Sequence, residues 1–198
     1  MSGVGSVALV TDCIKTVFEK YADRFENWFK GQWGSLKIDL GVAFDKYLKH
    51  SHNKYSTAKT LLYKDKPRRI RDFLVIPILR DGGANFIPVN TIHTITGISH
   101  FLLIRGTGGI GKSTLMKHLF LSTIEMKDHI PIFFELRDIN DRQDDYNLTD
   151  LLFESLGVLG DVMTRSAIEY ALSKGMFLFF LDGYDEITSS KAIAFLKK

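Results

Sequence analysis

One segment constrains this chain more than any other: Gly106 to Ser113 reads GTGGIGKS and fits the pattern G-x-x-x-x-G-K-[ST] in full. Glycines adopt backbone conformations that are closed to other residues, so several amide groups can approach one anion. An apolar run precedes the loop and a helix-forming stretch follows it, and the positive N-terminal end of that helix favours an anion further. The segment therefore predicts a phosphate-binding loop between a strand and a helix.

The residue types of this loop predict their roles. Lys112 supplies a mobile positive charge for the β- and γ-phosphates of a nucleotide, and the Ser113 hydroxyl is a ligand for Mg²⁺. The predicted nucleotide-binding residues are Gly106, Thr107, Gly108, Gly109, Ile110, Gly111, Lys112, Ser113 and Thr114. The predicted ligands are a nucleotide and Mg²⁺. The guanine-specific pattern N-K-x-D is absent from the chain, which favours adenine, and therefore ATP or ADP, over a guanine nucleotide.

A second feature lies further along the chain, where the apolar run Phe177 to Leu181 ends in acidic residues. Ligands of open α/β sheets bind at the carboxyl ends of the strands. Asp182 is therefore predicted to hold Mg²⁺, directly or through water, together with Ser113. Asp185 and Glu186 are the candidate catalytic residues, because either carboxylate could orient or deprotonate an attacking water.

Hydrophobic periodicity divides the chain into two regions. Before residue 90, apolar spacings of three and four predict amphipathic helices over Ser6 to Phe29 and through Ile38 to Leu48, and Ser56 is predicted to cap a short helix through Tyr63. From residue 98 onwards, apolar runs alternate with helical stretches, which is typical of a parallel sheet covered by helices. The predicted strands are Phe101 to Ile104, Ile130 to Leu136 and Met176 to Leu181, and the predicted helices are Lys112 to Thr123, Asp150 to Leu156 and Asp161 to Ser173. We predict a mainly α-helical region at 1–90 and an α/β P-loop NTPase domain at 91–198.

Composition and charge narrow the class of protein. The single cysteine, Cys13, excludes an internal disulfide and a cysteine-based zinc site, which favours a cytoplasmic location. No apolar run approaches the roughly 18 residues that span a bilayer, so no membrane association is predicted. Residues 1–90 carry 15 basic and 9 acidic side chains, net +6, whereas residues 91–198 carry 11 and 14, net −3. We interpret this mild excess as a solvated helical surface rather than a nucleic-acid site.

The two motifs together resemble one family. The loop Gly106 to Thr114, followed by Leu115, and the sequence LDGYDE at Leu181 to Glu186 resemble the NACHT branch of the STAND signalling NTPases. Ile130 to Arg137 resembles the second strand of that family. The resemblance implies an ATP-driven switch, in which nucleotide exchange or hydrolysis converts a closed monomer into an assembling form. It also implies a role in innate immunity, including defence against phage.

The resemblance further implies parts that follow the Asp-Glu pair in relatives. These are another strand with a sensing arginine, then a helical and a winged-helix region. We expect self-association or effector binding to run through such parts. The sheet order of the class is 5-1-4-3-2, so the fourth strand would lie between the phosphate-loop strand and the Asp182 strand. We therefore expect a truncated sheet that is missing its later strands, in a chain that is a fragment of a longer protein.

Two other functions stay open. One is a nucleotide-bound oligomerisation scaffold, in which ADP is structural and turnover is negligible. The other is a P-loop phosphotransferase, which is disfavoured because Asp185 and Glu186 suit the activation of water and no arginine-rich lid segment follows.

Relatives often pack the nucleotide base against a backbone segment that would lie here near Asp72 to Pro77.

As histidines, His50 and His52 could ligate a metal ion. They have no acidic or cysteine partners at ligand spacing, and we interpret them as surface residues.

Overall fold

A computed structural model describes residues 3–29, 33–59, 66–81, 85–89, 91–141, 147–157 and 162–188. Within these ranges the helices are α1 (Gly3–Phe29), α2 (Trp33–Tyr55), α3 (Ile70–Phe73), α4 (Ile92–Thr96), α5 (Lys112–Met126), α6 (Leu148–Leu156) and α7 (Val162–Ser173). The strands are β1 (Thr57–Ala58), β2 (Arg68–Arg69), β3 (Ile78–Arg80), β4 (Phe86–Pro88), β5 (Ile130–Glu135) and β6 (Phe177–Asp182). Short 3₁₀ turns follow β5 at Leu136–Ile139 and β6 at Tyr184–Glu186.

Helices α1 and α2 form a pair, as their apolar spacing predicts. The apolar stripe of α1 is buried from Val10 to Phe25, and Val17 and Phe25 are fully excluded from solvent. The rings of Phe18 and Phe44 meet edge to face with centroids 5.9 Å apart, an arrangement that aromatic pairs favour. A Cβ added to Gly41 would lie 3.9 Å from the Phe18 ring, so the glycine lies against the partner helix. Helix α2 extends beyond the predicted stretch at both ends, and it continues through Gly41 because this packing outweighs the weak helix propensity of glycine.

The centre of the fold is a parallel pair, β5 and β6, in which Ile130 pairs with Phe177 and Glu135 with Asp182. Five of the six residues of β5 are buried, which is typical of a strand covered on both faces. Helices α1, α2 and α5 all contact β5. Their buried side chains belong to one continuous apolar cluster. The parallel pair and the helices around it agree with the mixed α/β prediction.

Tyr47 covers the outer edge of β5. Its hydroxyl accepts a hydrogen bond from the Phe133 N–H at 2.8 Å and lies 3.4 Å from the Phe133 carbonyl oxygen. Both groups are buried, and a buried peptide group without a partner costs about 1–3 kcal/mol. The side chain thus replaces a neighbouring strand at this point of the edge, and it ties α2 directly to β5.

The prediction of a strand at Phe101 to Ile104 is wrong for the described structure. The segment is not hydrogen-bonded to any described strand, and Phe101 is 93% exposed and Leu103 65% exposed. Its apolar sequence favours a strand, but a strand forms only where a partner supplies the ladder. Among the described residues, neither edge of this segment has such a partner.

The prediction that Ser56 is the N-cap of a helix is also wrong, because a short strand follows it. The residue follows the end of α2, its hydroxyl donates to the Asn53 carbonyl at 3.3 Å, and Thr57 and Ala58 then pair antiparallel with Arg69 and Arg68. Serine caps helices and also stabilises turns, so its local chemistry allowed both outcomes. The rest of the predicted short helix lies outside the described residues.

None of the described helices is both long and apolar enough to cross a bilayer.

Candidate functional site

The glycine-rich loop connects the segment 101–105 to the N-terminus of α5. Gly109 and Gly111 have φ angles of 77° and 98°, in the left-handed region that other residues rarely adopt. Gly111 is the N-cap of α5, and its carbonyl accepts from the Leu115 N–H at 2.9 Å. The first amides of a helix have no partners within the helix, so those at this N-terminus are directed towards the loop. The loop therefore has the backbone that anion binding requires.

Gly106 is constrained by contact rather than by its φ angle. A Cβ added there would lie 3.0 Å from Cγ2 of Ile110, closer than real Cβ atoms normally come. The start of the loop thus lies directly against Ile110. Thr107 and Gly108 lie between them at the surface, with Thr114 half-buried just beyond in the first turn of α5.

Lys112 folds back over the loop. Its ammonium donates to the carbonyl oxygens of Gly106 at 2.9 Å and Thr107 at 3.4 Å. These carbonyls hold the Lys112 ammonium at the mouth of the loop. Its flexible four-carbon side chain would allow the ammonium to bind phosphate oxygens in place of the carbonyls. The Lys112 ammonium, which is predicted to bind phosphate, therefore lies at the glycine-rich loop.

Ser113 and Asp182 meet although they lie on different elements. The Ser113 hydroxyl donates to Oδ1 of Asp182 at 3.1 Å, which joins the first turn of α5 to the end of β6. Mg²⁺ binds oxygen ligands at about 2.0–2.1 Å, so two adjacent ligands of an octahedron lie about 2.9 Å apart. The observed separation fits one ion shared by both side chains. Within the described ranges no cluster of three or more His, Cys, Asp or Glu side chains could hold a metal ion, so phosphate or water would complete the shell.

A cavity of about 390 Å³ lies between the loop and the end of β6. Its walls include Lys112, Asp182 and Asp185, and apolar side chains of Leu103 and Met116. Of the two candidate catalytic residues, only Asp185 is among the lining residues. The segment 72–77, where the base was predicted, does not line this cavity.

We call Tyr184–Glu186 the acidic turn. Gly183 is its N-cap and has a φ of 80°. A Cβ added to Gly183 would lie 3.5 Å from Cδ of Glu186, so the Glu186 carboxyl group lies over the backbone of its own turn. The pKa of the Arg137 guanidinium is raised above its usual value, mainly by a hydrogen bond and charge from Glu135, and the charge of Glu186 adds to this. Glu186 is therefore near enough to Arg137 for their charges to interact, and it does not line the cavity.

Glu135, at the end of β5, is a largely buried acid beside the site. Lys54 donates to it at 2.9 Å and Arg137 at 2.6 Å, while its side chain is only 12% exposed. Burial raises the pKa of Glu135, but the hydrogen bonds and charges of Lys54 and Arg137 outweigh burial and lower it below 4.5. The residue is thus an anion that holds two cations beside the acidic turn.

Sequence reasoning did not identify Asn140, which bonds to the backbone of the acidic turn. Its side-chain Nδ2 donates to the Glu186 carbonyl at 2.8 Å, and Oδ1 accepts from the Thr188 N–H at 2.9 Å. These contacts join residues almost 50 positions apart, so no local pattern shows them. The one available signal is a polar residue that follows the predicted β5 strand by a few positions, at the sheet edge where ligands bind.

Comparison with family models identifies a NACHT domain. Residues 100–194 match the family model of the NACHT domain, and this range includes the glycine-rich loop, Asp182 and the acidic turn. No curated protein and no solved structure matches the chain.

Proposed function

Because residues 100–194 form a NACHT domain of the P-loop NTPase class, we propose that this chain binds ATP with Mg²⁺ and hydrolyses it as a signalling switch. The main support for this proposal is the contact of Ser113 with Asp182 beside the glycine-rich loop. It brings the hydroxyl of one motif and the carboxylate of the other within reach of one ion, although 69 positions separate them.

Each group at the site has a task in this proposal. The amides of the loop and the Lys112 ammonium bind the phosphates, and Ser113 and Asp182 hold Mg²⁺, which neutralises phosphate charge when bound. Asp185 lines the cavity and is therefore our first candidate for orienting the attacking water. Glu186 is the second candidate and would have to turn from its position over Gly183.

The family membership also supports the wider role. We propose that nucleotide exchange or hydrolysis drives self-association or the binding of an effector, in innate immune or antiphage defence in the cytoplasm. The NACHT match over residues 100–194 supports this assignment at the level of the family.

The scaffold alternative has one observation in its favour. Glu186 lies outside the cavity walls, so in this arrangement only one of the two predicted catalytic acids is near the phosphates. A bound nucleotide that is not turned over would then stabilise an assembly. Phosphate release from the chain distinguishes the two functions.

The experiment measures nucleotide affinity and phosphate release for the chain and its variants. Lys112→Ala is expected to abolish nucleotide binding, and Lys117→Ala is the matched control, since Lys117 lies on the same helix with its ammonium 5.7 Å from the Tyr55 ring centre. Undiminished ATP affinity in Lys112→Ala would contradict the phosphate-binding assignment. Asp185→Asn and Glu186→Gln are expected to preserve affinity, and whichever variant stops release identifies the catalytic acid. Release at the buffer rate by the unmodified chain would favour the scaffold.

A further inference from the structure

A single side-chain amide joins the loops that follow β5 and β6. Asn140 donates to the carbonyl of Glu186 and accepts from the N–H of Thr188, at 2.8 and 2.9 Å. An asparagine amide carries both a donor and an acceptor, so one side chain can make both bonds. The two backbone groups flank Ile187.

This pair of bonds repeats the pattern of a parallel ladder. In such a ladder, a residue bonds to the carbonyl before and to the N–H after the residue opposite it. The Asn140 amide makes these two bonds around Ile187, while the last regular pair of β5 and β6 is Glu135 with Asp182. The amide therefore extends the hydrogen bonding of the two strands beyond their ends, into the acidic turn.

The two sides of this contact differ in how firmly they are held. On the Asn140 side, Leu136 is fully buried, Ile139 is 2% exposed, and the Asn140 N–H donates to the Arg137 carbonyl at 3.1 Å. On the other side, the side chains of the acidic turn are exposed. Its own backbone bonds are the Glu186 N–H to Gly183 at 3.0 Å and the Ile187 N–H to Tyr184 at 3.5 Å, the second being weak.

We propose that Asn140 is a positioning residue that fixes the acidic turn against β5. It does not line the cavity, and it acts through the backbone of Glu186 and Thr188. Its effect is to keep Asp185 at the cavity that Lys112 and Asp182 share. A displacement of about 1 Å can reduce a catalysed rate about 100-fold, so loosening this turn lowers turnover. The inference rests on the proposed hydrolysis, but the contact itself is independent of it.

The test uses the full chain with Asn140→Ala and Asn140→Asp. Asn140→Ala is expected to lower kcat for phosphate release by about tenfold or more and to leave KM for ATP within about twofold, because the phosphate-binding loop is untouched. Asn140→Asp keeps the acceptor for Thr188 but sets a carboxylate oxygen against the Glu186 carbonyl, so it is also expected to lower kcat. Asn147→Ala is the matched control, since Asn147 is the N-cap of α6 and its capping box is distant in sequence from the turn. It is expected to lower Tm and leave kcat unchanged.

The outcomes separate positioning from general stability. An unchanged kcat in Asn140→Ala overturns the proposal, and so does a loss of kcat that Asn147→Ala reproduces at the same loss of Tm. Hydrogen exchange at the Thr188 amide gives a readout without turnover: faster exchange in Asn140→Ala supports the contact, and unchanged exchange overturns it. If the unmodified chain binds ATP but releases no phosphate, the hydrolysis proposal fails and the kinetic role of Asn140 is overturned with it. The exchange of Thr188 still decides whether Asn140 holds the turn.

Discussion

The hydroxyl of Ser113 lies 3.1 Å from Oδ1 of Asp182, and the two residues belong to elements that are far apart in the chain. Neither side chain alone is a metal site. Together they offer two hard oxygen atoms at a separation that one Mg²⁺ ion can bridge. This relationship gives the first prediction.

Ser113→Ala is expected to weaken Mg²⁺ binding to the nucleotide complex by at least about tenfold, because one oxygen ligand is lost. Asp182→Asn is expected to have a larger effect, because it removes the negative charge of the site although it keeps an oxygen atom there. Nucleotide affinity measured with Mg²⁺ and with a chelator checks both. Ser173→Ala is the control, as the Ser173 hydroxyl only donates to the Tyr170 carbonyl at 2.7 Å. Equal Mg²⁺ dependence in all the variants would argue against a shared ion.

Gly111→Ala is expected to reduce nucleotide affinity about tenfold, because its φ of 98° costs a residue with a Cβ about 1–2 kcal/mol. Gly175→Ala is the matched control. Gly175 also has a left-handed φ, of 68°, and neither glycine has an atom within 4 Å of an added Cβ. The control is expected to lower Tm while nucleotide affinity, measured with a fluorescent analogue, stays the same. Similar affinities for the two variants would show that the conformation of Gly111 does not matter for binding.

Tyr47→Phe is expected to lower the free energy of unfolding by about 1–3 kcal/mol, since it leaves the buried N–H of Phe133 without its partner. Urea unfolding measures the change. Tyr170→Phe provides the comparison, because that hydroxyl donates to the Arg24 carbonyl at 3.1 Å at an exposed position. Its effect is expected to stay below about 0.5 kcal/mol. If both variants lose the same free energy of unfolding, the buried contact of Tyr47 with β5 does not stabilise the fold more than an exposed hydrogen bond does.

The low pKa of Glu135 makes part of the stability depend on pH. Its folded-state pKa is below the ordinary 4.5, so the contribution is present above about pH 4.5 and is lost as pH falls through the folded-state value. Glu135→Gln is therefore expected to flatten the acid limb of the free energy of unfolding plotted against pH. Lys54→Met removes one of the two cations and is expected to shift this limb to higher pH, because burial then raises the pKa. An acid limb that is identical in Glu135→Gln would contradict this account.

Cys13 is expected to resist alkylation in the folded chain. Burial raises the pKa of its thiol to about 12, and the side chain is fully excluded from solvent. The thiolate is the reactive form, so modification should require unfolding. Labelling with iodoacetamide across a urea series checks this, and rapid labelling without urea would show that α1 opens locally.

The sequence predicted the elements that rest on strong local patterns. The helices α1, α5, α6 and α7 and the strands β5 and β6 lie within a few residues of their predicted positions, because periodicity and long apolar runs specify them, whereas α2 is longer than predicted. The glycine-rich loop was equally clear, since its residue types have few other uses. The predicted boundary between regions 1–90 and 91–198 stays a prediction, although α2 packs against β5 within one apolar cluster.

The remaining features depend on partners that are distant in the chain. Phe101 to Ile104 has the composition of a strand, but whether it pairs depends on another segment. Tyr47 was predicted only as part of an apolar stripe, although a buried tyrosine hydroxyl usually needs a hydrogen-bond partner. Neither its contact with Phe133 nor that of Asn140 with the acidic turn follows from neighbouring residues.

The bond between Tyr47 and Phe133 has a consequence for the order of events during synthesis. The two residues are 86 positions apart, and a ribosome adds about 5–20 residues per second. Helix α2 therefore emerges roughly 4–17 s before the strand that it covers. During that interval the apolar faces of α1 and α2 can bury against each other and later against α5, but not yet against the sheet that they cover.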